Sequence, residues 1–269
     1  MAHDAFQLAS GAAAIYEQQK VSAVFRPLAE ATLDAIEVSR RDAVLDVACG
    51  TGIVARVVHE RISPNVPITG VDLNQGMIEK ARELTSDAGD DFRWHVANAT
   101  DMPFVDGVFT VAICQQGLQF MPDEAATLRE MRRVLQAKGL LVLTVWAGAS
   151  RFFRALAQAI GNHVSQEDAE LSLAPFAYGG FDGLPALLGA GGFADVRVRD
   201  LSVERLIRDP ETAIPREIMS NPVGPAVAAR GEDVMTSIVD EVLAGCADMR
   251  RGTDLVAPQT ARLVTARAV

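Results

Sequence analysis

Residues 44–58, VLDVACGTGIVARVV, decide the reading of the fold. Val44, Leu45 and Val47 form a short apolar run interrupted by Asp46, and the run gives way at Gly50-Thr51-Gly52. Ile53, Val54, Val57 and Val58 then follow at helical spacing. A brief apolar segment, a glycine turn and a helical period together read as strand, tight turn and helix. Glycine lets the backbone reverse sharply and approach a ligand with no Cβ in the way, so such a turn commonly cradles something.

Outward from this stretch the same unit repeats. "AVLDVA" is a strand and 52–61 a helix; "PITGVDL" is a strand and 74–88 a helix. "FRWHVAN" and "VFTVAICQQ" are strands on either side of the turn-rich "ATDMPFVDG". A helix over 123–137, opened by Asp123, leads to the strand "GLLVLTVWA". Alternation of this kind predicts an α/β fold with a doubly wound parallel sheet and helices on both faces. Before it, residues 10–36 read as helix, with two helices meeting near Arg26-Pro27 because proline suits a first helical turn better than an interior. After it, "FDGLPALLGAGGF" reads as a helix and "ADVRVRDLSVERL" as a long strand. Residues 209–250 read as a helical insertion punctuated by Pro210, Pro215, Pro222 and Pro225, and "TARLVTARA" closes as a strand. The expectation is one domain with helical additions.

Composition narrows the function. The 269 residues are 49% hydrophobic, enough for a sizeable core. A formal charge of −10 and no basic run argue against a nucleic-acid partner. Cys49, Cys114 and Cys246 are scattered, with no CxxC or His/Cys cluster, so neither a disulfide framework nor a metal site is expected. The first residues lack the pattern of a signal peptide, and no apolar run reaches the ~18 residues of a membrane span. A cytoplasmic protein without an integral membrane segment is the expectation.

Strand ends carry the chemistry, because ligands of doubly wound sheets bind outside the carboxyl ends of the strands. A dinucleotide, a nucleotide phosphate and S-adenosylmethionine all suit a glycine turn. No Lys follows Gly52, as a phosphate loop requires, while Ala55 at the third glycine position leaves a dinucleotide open. Asp46 is more selective: an acid beneath the turn disfavours pyrophosphate and suits a cationic ammonium or sulfonium. Asp72 ends the second strand 20 residues after Gly52, where an acid accepts from ribose hydroxyls. The third strand runs into Asn98-Ala99-Thr100, where a short polar residue and a small one suit an adenine edge. The fourth ends in Gln115-Gln116, with Gln119 beyond.

The ordered set "VLDVACGTG…VDLN…ANATDMPF…FTVAICQQGLQFMPD…REMRRVLQAKGLLVLTVW" resembles class I S-adenosylmethionine-dependent methyltransferases. It is most similar to the branch containing the ubiquinone- and menaquinone-biosynthesis enzymes and their small-molecule relatives, over about residues 40–148. The resemblance implies a Rossmann-like, mostly parallel seven-stranded sheet with an antiparallel last strand. It implies an N-terminal helical lid (1–37), a cofactor-binding core (38–148), substrate-side elements (149–258) and a last strand (259–269). It further implies that Ala48, Cys49, Gly50, Thr51 and Gly52 pass along the methionine part of S-adenosylmethionine, with Asp46 near its ammonium. Asp72 would hold the ribose, Leu73 and Met77 would pack near the adenine, and Asn98, Ala99 and Thr100 would meet its edge. Gln115 and Gln116 would line the methionine side, and Tyr16, Phe25 and Arg26 would face the ligand from the lid, Arg26 either meeting the carboxylate or forming a surface salt bridge. Thr110 departs from the family, which usually has Asp there, and we read this change as structural.

Methyl transfer from a sulfonium is an in-line displacement whose leaving thioether needs no acid, so positioning dominates and no triad is required. A phenolic, enolic or activated-carbon acceptor would need a base, for which His163, Tyr178 and Asp182 are candidates. Gln119 and Trp146 are candidates to meet a small-molecule acceptor, quinol- or phenol-like or a secondary metabolite. Two other functions share the glycine turn: a non-catalytic S-adenosylmethionine-binding protein, and an NAD-dependent oxidoreductase, which Asp46 and Asn98-Ala99 disfavour. The oligomeric state is left open, a homodimer included.

Overall fold

The computed structural model describes residues 12–269. In chain order it comprises α1 (Ala12–Tyr16), a π-helical segment (Glu17–Phe25), α2 (Arg26–Asp34), β1 (Val44–Val47), α3 (Ile53–Ile62), β2 (Ile68–Asp72), α4 (Gln75–Leu84) and β3 (Phe92–Val96). There follow β4 (Phe109–Gln115), α5 (Glu124–Val134), β5 (Leu135–Trp146), α6 (Arg151–His163), α7 (Gln166–Leu173), α8 (Leu184–Ala190) and β6 (Phe193–Ile207). The chain closes with α9 (Pro210–Met219), α10 (Gly224–Ala228), α11 (Glu232–Gly245), β7 (Arg250–Arg251) and β8 (Asp254–Ala268).

The sheet runs β3-β2-β1-β4-β5-β8-β6, with the two-residue β7 added on β8. β1 pairs in parallel with β2 and β4, β2 with β3, and β4 with β5, while the last strand is antiparallel. The chain therefore moves one way from β1 to β3 and the other way from β4 to β5. That reversal puts the topological switch between β1 and β4, and the crevice at their carboxyl ends is where ligands of such folds bind. The expected α/β, Rossmann-like sheet with an antiparallel last strand and a helical insertion is the observed one.

Two compact units make up the chain. Among the described residues the first holds 12–145, 179–201 and 262–269, and the second 146–178 and 202–261. In the first, β1 is buried along its whole length, Asp46 included. Apolar residues of α3, including Ile53, Val54, Val57 and Val58, pack into the same core as Val44, Val111 and Val142 of the strands. Trp94 of β3 reaches beneath the glycine turn: a Cβ on Gly52 or on Gly70 would lie 2.3 Å from its ring. Its indole N–H donates to Thr85 Oγ1 at 3.0 Å, which meets the buried polar atom's requirement. Thr110, the departure noted in the sequence, donates to Asp42 Oδ1 at 2.8 Å and accepts from Ala43 N at 3.0 Å, tying β4 to the entry of β1.

Four boundaries differ from the sequence reading. The expected break at Arg26-Pro27 is absent, since Phe25 and Arg26 both keep right-handed helical angles. The helix passes through Pro27 after a stretch in which bonding is widened to i→i+5, seen in Arg26 N donating to Val21 O. The helix read over 74–88 ends at Leu84, followed by a 3₁₀ turn at Ser86–Asp91. The helix read over 123–137 ends at Val134 and passes straight into β5. The last strand begins at Asp254 because the turn at Gly252, with φ +64°, pairs its first residues with β7.

Candidate cofactor crevice

The crevice is built from the turn outward, entirely within the first unit. Ala48, Gly50 and Gly52 have φ of +54°, +55° and +82°. Gly52 combines that left-handed backbone with the Trp94 ring against its missing Cβ, so only glycine fits there without strain. Ala48 carries the same backbone with a side chain, an uncommon state that concentrates at functional sites.

Two carboxylates lie beneath this turn. Asp72 Oδ2 accepts from Gly50 N at 2.9 Å and its Oδ1 from Asn74 N at 2.8 Å, so one side chain fixes the turn and the start of α4 together. Asn74 caps α4, its Oδ1 accepting from Met77 N at 3.1 Å. Asp46 Oδ2 accepts from Ala55 N at 3.1 Å in the first turn of α3. Burial pushes the Asp46 carboxyl up to about 8, with Asp72 adding to the rise and the Ala55 N–H and Arg56 opposing it. Asp72 is also raised by burial, against the two backbone N–H groups that favour its charge. Burial raises the Cys49 thiol well above its ordinary value and the Cys114 thiol to about 12. Neither is poised as a thiolate nucleophile.

The crest of β4 adds amides. Gln116 sits at φ +56° with its Nε2 3.4 Å from Thr144 Oγ1, and Gln115 Nε2 donates to Phe25 O at 3.1 Å. The Oε1 atoms of both glutamines are buried and accept from nothing. Over the turn lies Tyr16, its ring 3.7 Å from where a Gly50 Cβ would stand and stacked on Phe25 with centroids 5.4 Å apart. Burial, with Asp72, Glu17 and Asp46 nearby, pushes its hydroxyl pKa upward, so it stays a neutral donor.

Of the residues singled out in the sequence, Tyr16, Asp46, Cys49, Gly50, Thr51, Gly52, Asp72, Gln115 and Gln116 stand at the turn and the adjoining strand ends, as does Ala48. Met77 is buried, whereas Leu73 is 50% exposed despite its apolar side chain. Asn98 Oδ1 accepts from Thr100 N at 3.0 Å, closing a turn that leaves Ala99 half-buried. Gln119 is half-buried in the 3₁₀ turn Leu118–Phe120. Arg26 is not brought to the turn: Glu60, in the last turn of α3, binds it at 2.7 and 2.9 Å, and Glu30 at 3.2 Å. Asp182 is exposed in the short Phe181–Gly183 turn. In the second unit, His163 lies 3.0 Å from Glu241 across α6 and α11. Trp146 is buried against Phe176, with centroids 6.3 Å apart, and Tyr178 is half-buried.

Sequence reasoning missed Glu17, Trp94 and Asn74. Glu17 reaches Thr51 and Arg56 across 34 and 39 residues, a separation that leaves no local signal. Trp94 could have been found: a glycine inside β2, Gly70, beside the glycine turn points to something large filling the space against both.

The crevice asks for a particular kind of ligand. Two buried carboxyl groups lie beneath the turn, and two buried amide oxygens without partners belong to the neighbouring crest of β4, so the crevice is rich in acceptors and suits a cationic, hydroxyl-bearing molecule. Comparison with known proteins agrees. Residues 44–139 match the model of a family described as a methyltransferase domain. Demethylmenaquinone methyltransferase of Staphylococcus aureus is 28% identical over 170 residues, covering 59% of this chain and 70% of that protein. Two solved structures share the fold. YcgJ of Bacillus subtilis has a TM-score of 0.58 and 19% identity, covering 89% of this chain and 97% of that one. Phosphoethanolamine N-methyltransferase 2 of Haemonchus contortus, in complex with S-adenosyl-L-methionine, has a TM-score of 0.62 and 17% identity, covering 98% of this chain and 58% of that one.

Fold and crevice together define a doubly wound domain with an acceptor-rich crevice at its switch point. Over residues 44–139 the chain is similar to a methyltransferase domain, and its relatives include a menaquinone-biosynthesis methyltransferase. No described helix is long and apolar enough to cross a membrane. Among the described residues no group of three or more His, Cys, Asp or Glu is placed to hold a metal ion.

Proposed function

We propose that the chain methylates a small, planar, hydroxyl-bearing acceptor of the quinol or phenol kind. Support for the acceptor class comes from the likeness to a demethylmenaquinone methyltransferase across 70% of that protein's length. The observation that carries the cofactor's placement is the acceptor-rich crevice, in which buried Gln115 Oε1 and Gln116 Oε1 lack donors.

In this reading the ionised Asp46 carboxylate and the free amide oxygens receive the ammonium, which brings the donors they lack. Asp72 receives the ribose hydroxyls on the lone pairs left over from Gly50 N and Asn74 N. Gly50 and Gly52 let the backbone lie close beneath the chain of the ligand. Exposed Leu73 and buried Met77 supply the apolar surface on which the adenine lies, with Asn98 to Thr100 at its edge. When bound, the cofactor supplies a methyl on a sulfonium, and its neutral thioether product leaves without a proton. The protein's part is to align the acceptor atom with the S–C bond and to exclude water, for which effective molarities of ~10⁵ M or more are available.

The test is transfer of isotope-labelled methyl from S-adenosylmethionine to a panel of reduced quinols, phenols and amines. Label in a quinol or phenol supports the reading. Label only in amines would overturn the acceptor class while leaving the enzyme class intact.

A further inference from the structure

Both ends of the π-helical segment Glu17–Phe25 are tied to residues of the crevice. At its first position, Glu17 Oε2 accepts from Thr51 Oγ1 at 2.5 Å, inside the glycine turn. Arg56 Nη2, one helical turn further along α3, donates to Glu17 Oε1 and Oε2 at 2.7 and 2.9 Å. At its last position, the Phe25 carbonyl accepts from Gln115 Nε2 at 3.1 Å. Between these ties the Tyr16 ring is pressed on Gly50 and stacked on Phe25. Glu17 and Arg56 are largely buried, with side-chain exposures of 18% and 16%, so their attraction is little screened by solvent. π-Helical bonding is rare and is found disproportionately at functional sites, where a helix has to hold a residue off its α-helical register.

We propose that Glu17 is a latch. Its carboxylate fastens the N-terminal helix across the glycine turn and holds Tyr16 over Gly50, and cofactor exchange requires the Glu17–Thr51–Arg56 contacts to open. Glu17 is thus a positioning residue that acts through Tyr16 and sets the residence time of the bound cofactor, with no part in the displacement itself. The inference rests on the cofactor lying along Gly50–Gly52.

The geometry favours a latch over a merely structural bridge for a chemical reason. A helix that only needed anchoring could be held by apolar contacts, as Val21, Val24, Leu28 and Ala29 already hold this one. A buried ion pair adds little net stability over such contacts, because desolvation offsets most of its attraction. What it adds is an interaction that can be exchanged for water when the helix lifts. It also joins the helix to the one side chain of the turn, Thr51, that lies between the two glycines.

The test uses the full chain and S-adenosylhomocysteine, with stopped-flow tryptophan fluorescence read in a Trp146→Phe background so that the signal is that of Trp94, against Gly52. Glu17→Gln keeps the size of the side chain and removes its charge; Arg56→Met removes the partner. Each is expected to speed release of S-adenosylhomocysteine about tenfold, as loss of a charge-assisted bond would. The double variant should be no faster than the faster single one. Limited proteolysis should cut the N-terminal helix sooner in both variants, and bound S-adenosylhomocysteine should restore protection less well than in the parent. Release within twofold of the parent for both singles, or fully additive effects in the double variant, overturns the latch. If Glu17→Gln fails to fold, Arg56→Met and the proteolysis decide the matter. Failure of the cofactor assignment is read separately, as absence of any S-adenosylhomocysteine binding by the parent.

Discussion

A carboxyl group pushed up to about 8 beneath the proposed ammonium site should make cofactor affinity depend on pH. In the empty protein Asp46 is mostly protonated at pH 7, because burial and Asp72 disfavour its charge. Binding a cation against it requires the carboxylate, so the proton must leave as the ligand enters. With a value of 8 the ionised fraction is roughly 1% at pH 6, about 9% at pH 7 and about half at pH 8. Affinity should therefore rise roughly fiftyfold between pH 6 and pH 8 and level off above about pH 9. Titration calorimetry with S-adenosylhomocysteine, in buffers of different ionisation enthalpy, measures both the affinity and the proton. Close to one proton should be released per ligand at pH 7, and Asp46→Asn should abolish the release and flatten the profile.

Without ligand the same group acts on stability with the opposite sense. Its folded value lies above the unfolded value of 3.8, so the folded chain keeps a proton that the unfolded chain has lost. Stability therefore falls as pH rises between about 4 and 8, by up to about 1.4 kcal/mol per pH unit from this residue. Asp46→Asn should remove that slope in denaturant titrations. An affinity that stays flat from pH 6 to 8.5 in the parent protein would refute the reasoning, because it would mean that Asp46 is charged before the ligand arrives.

Other consequences are structural. Gly52→Ala places a Cβ 2.3 Å from the Trp94 ring in a left-handed backbone, and should destabilise the fold by about 3 kcal/mol or prevent folding, read as the thermal midpoint. Ala48→Gly relieves a non-glycine residue at φ +54° and should be neutral or stabilising by up to about 1 kcal/mol in denaturant titration. Glu130 accepts from Met102 N at 2.7 Å and pairs with Arg133 at 2.6 Å, and Arg133 holds its carboxyl below the ordinary range. That stabilisation is present above the unfolded value of 4.5 and is lost as pH falls through the lower folded value. Glu130→Gln should cost about 2 kcal/mol at pH 7 and less at pH 3, by urea unfolding.

Much of this was legible in the sequence because strand, turn and helix announce themselves by period. Each strand end of the crevice carries its acid, glycine or amide within a few residues of an apolar run, so Asp46, Gly50, Asp72, Gln115 and Gln116 could be found locally. Boundaries were less legible where tertiary contacts override local preference. Pro27 marks a break by its missing N–H, yet the widened bonding of Glu17–Phe25 carries the helix past it. The Arg26 side chain suited either a carboxylate ligand or a surface salt bridge by type; the structure gives the salt bridge, with Glu60 on α3, a partner that sequence spacing does not reveal. Glu17 is invisible for the same reason, as its partners are brought near only when the N-terminal helix lies over the turn.

The central claim is that the crevice between β1 and β4 holds S-adenosylmethionine, with Asp72 on its ribose. Calorimetric titration of S-adenosylhomocysteine into the parent protein and into Asp72→Ala tests it most directly. The account expects saturable binding of one ligand by the parent and a loss of about a hundredfold in the variant, since two hydroxyls lose a charged acceptor. No binding by the parent, or equal affinity in a folded Asp72→Ala protein, would contradict it.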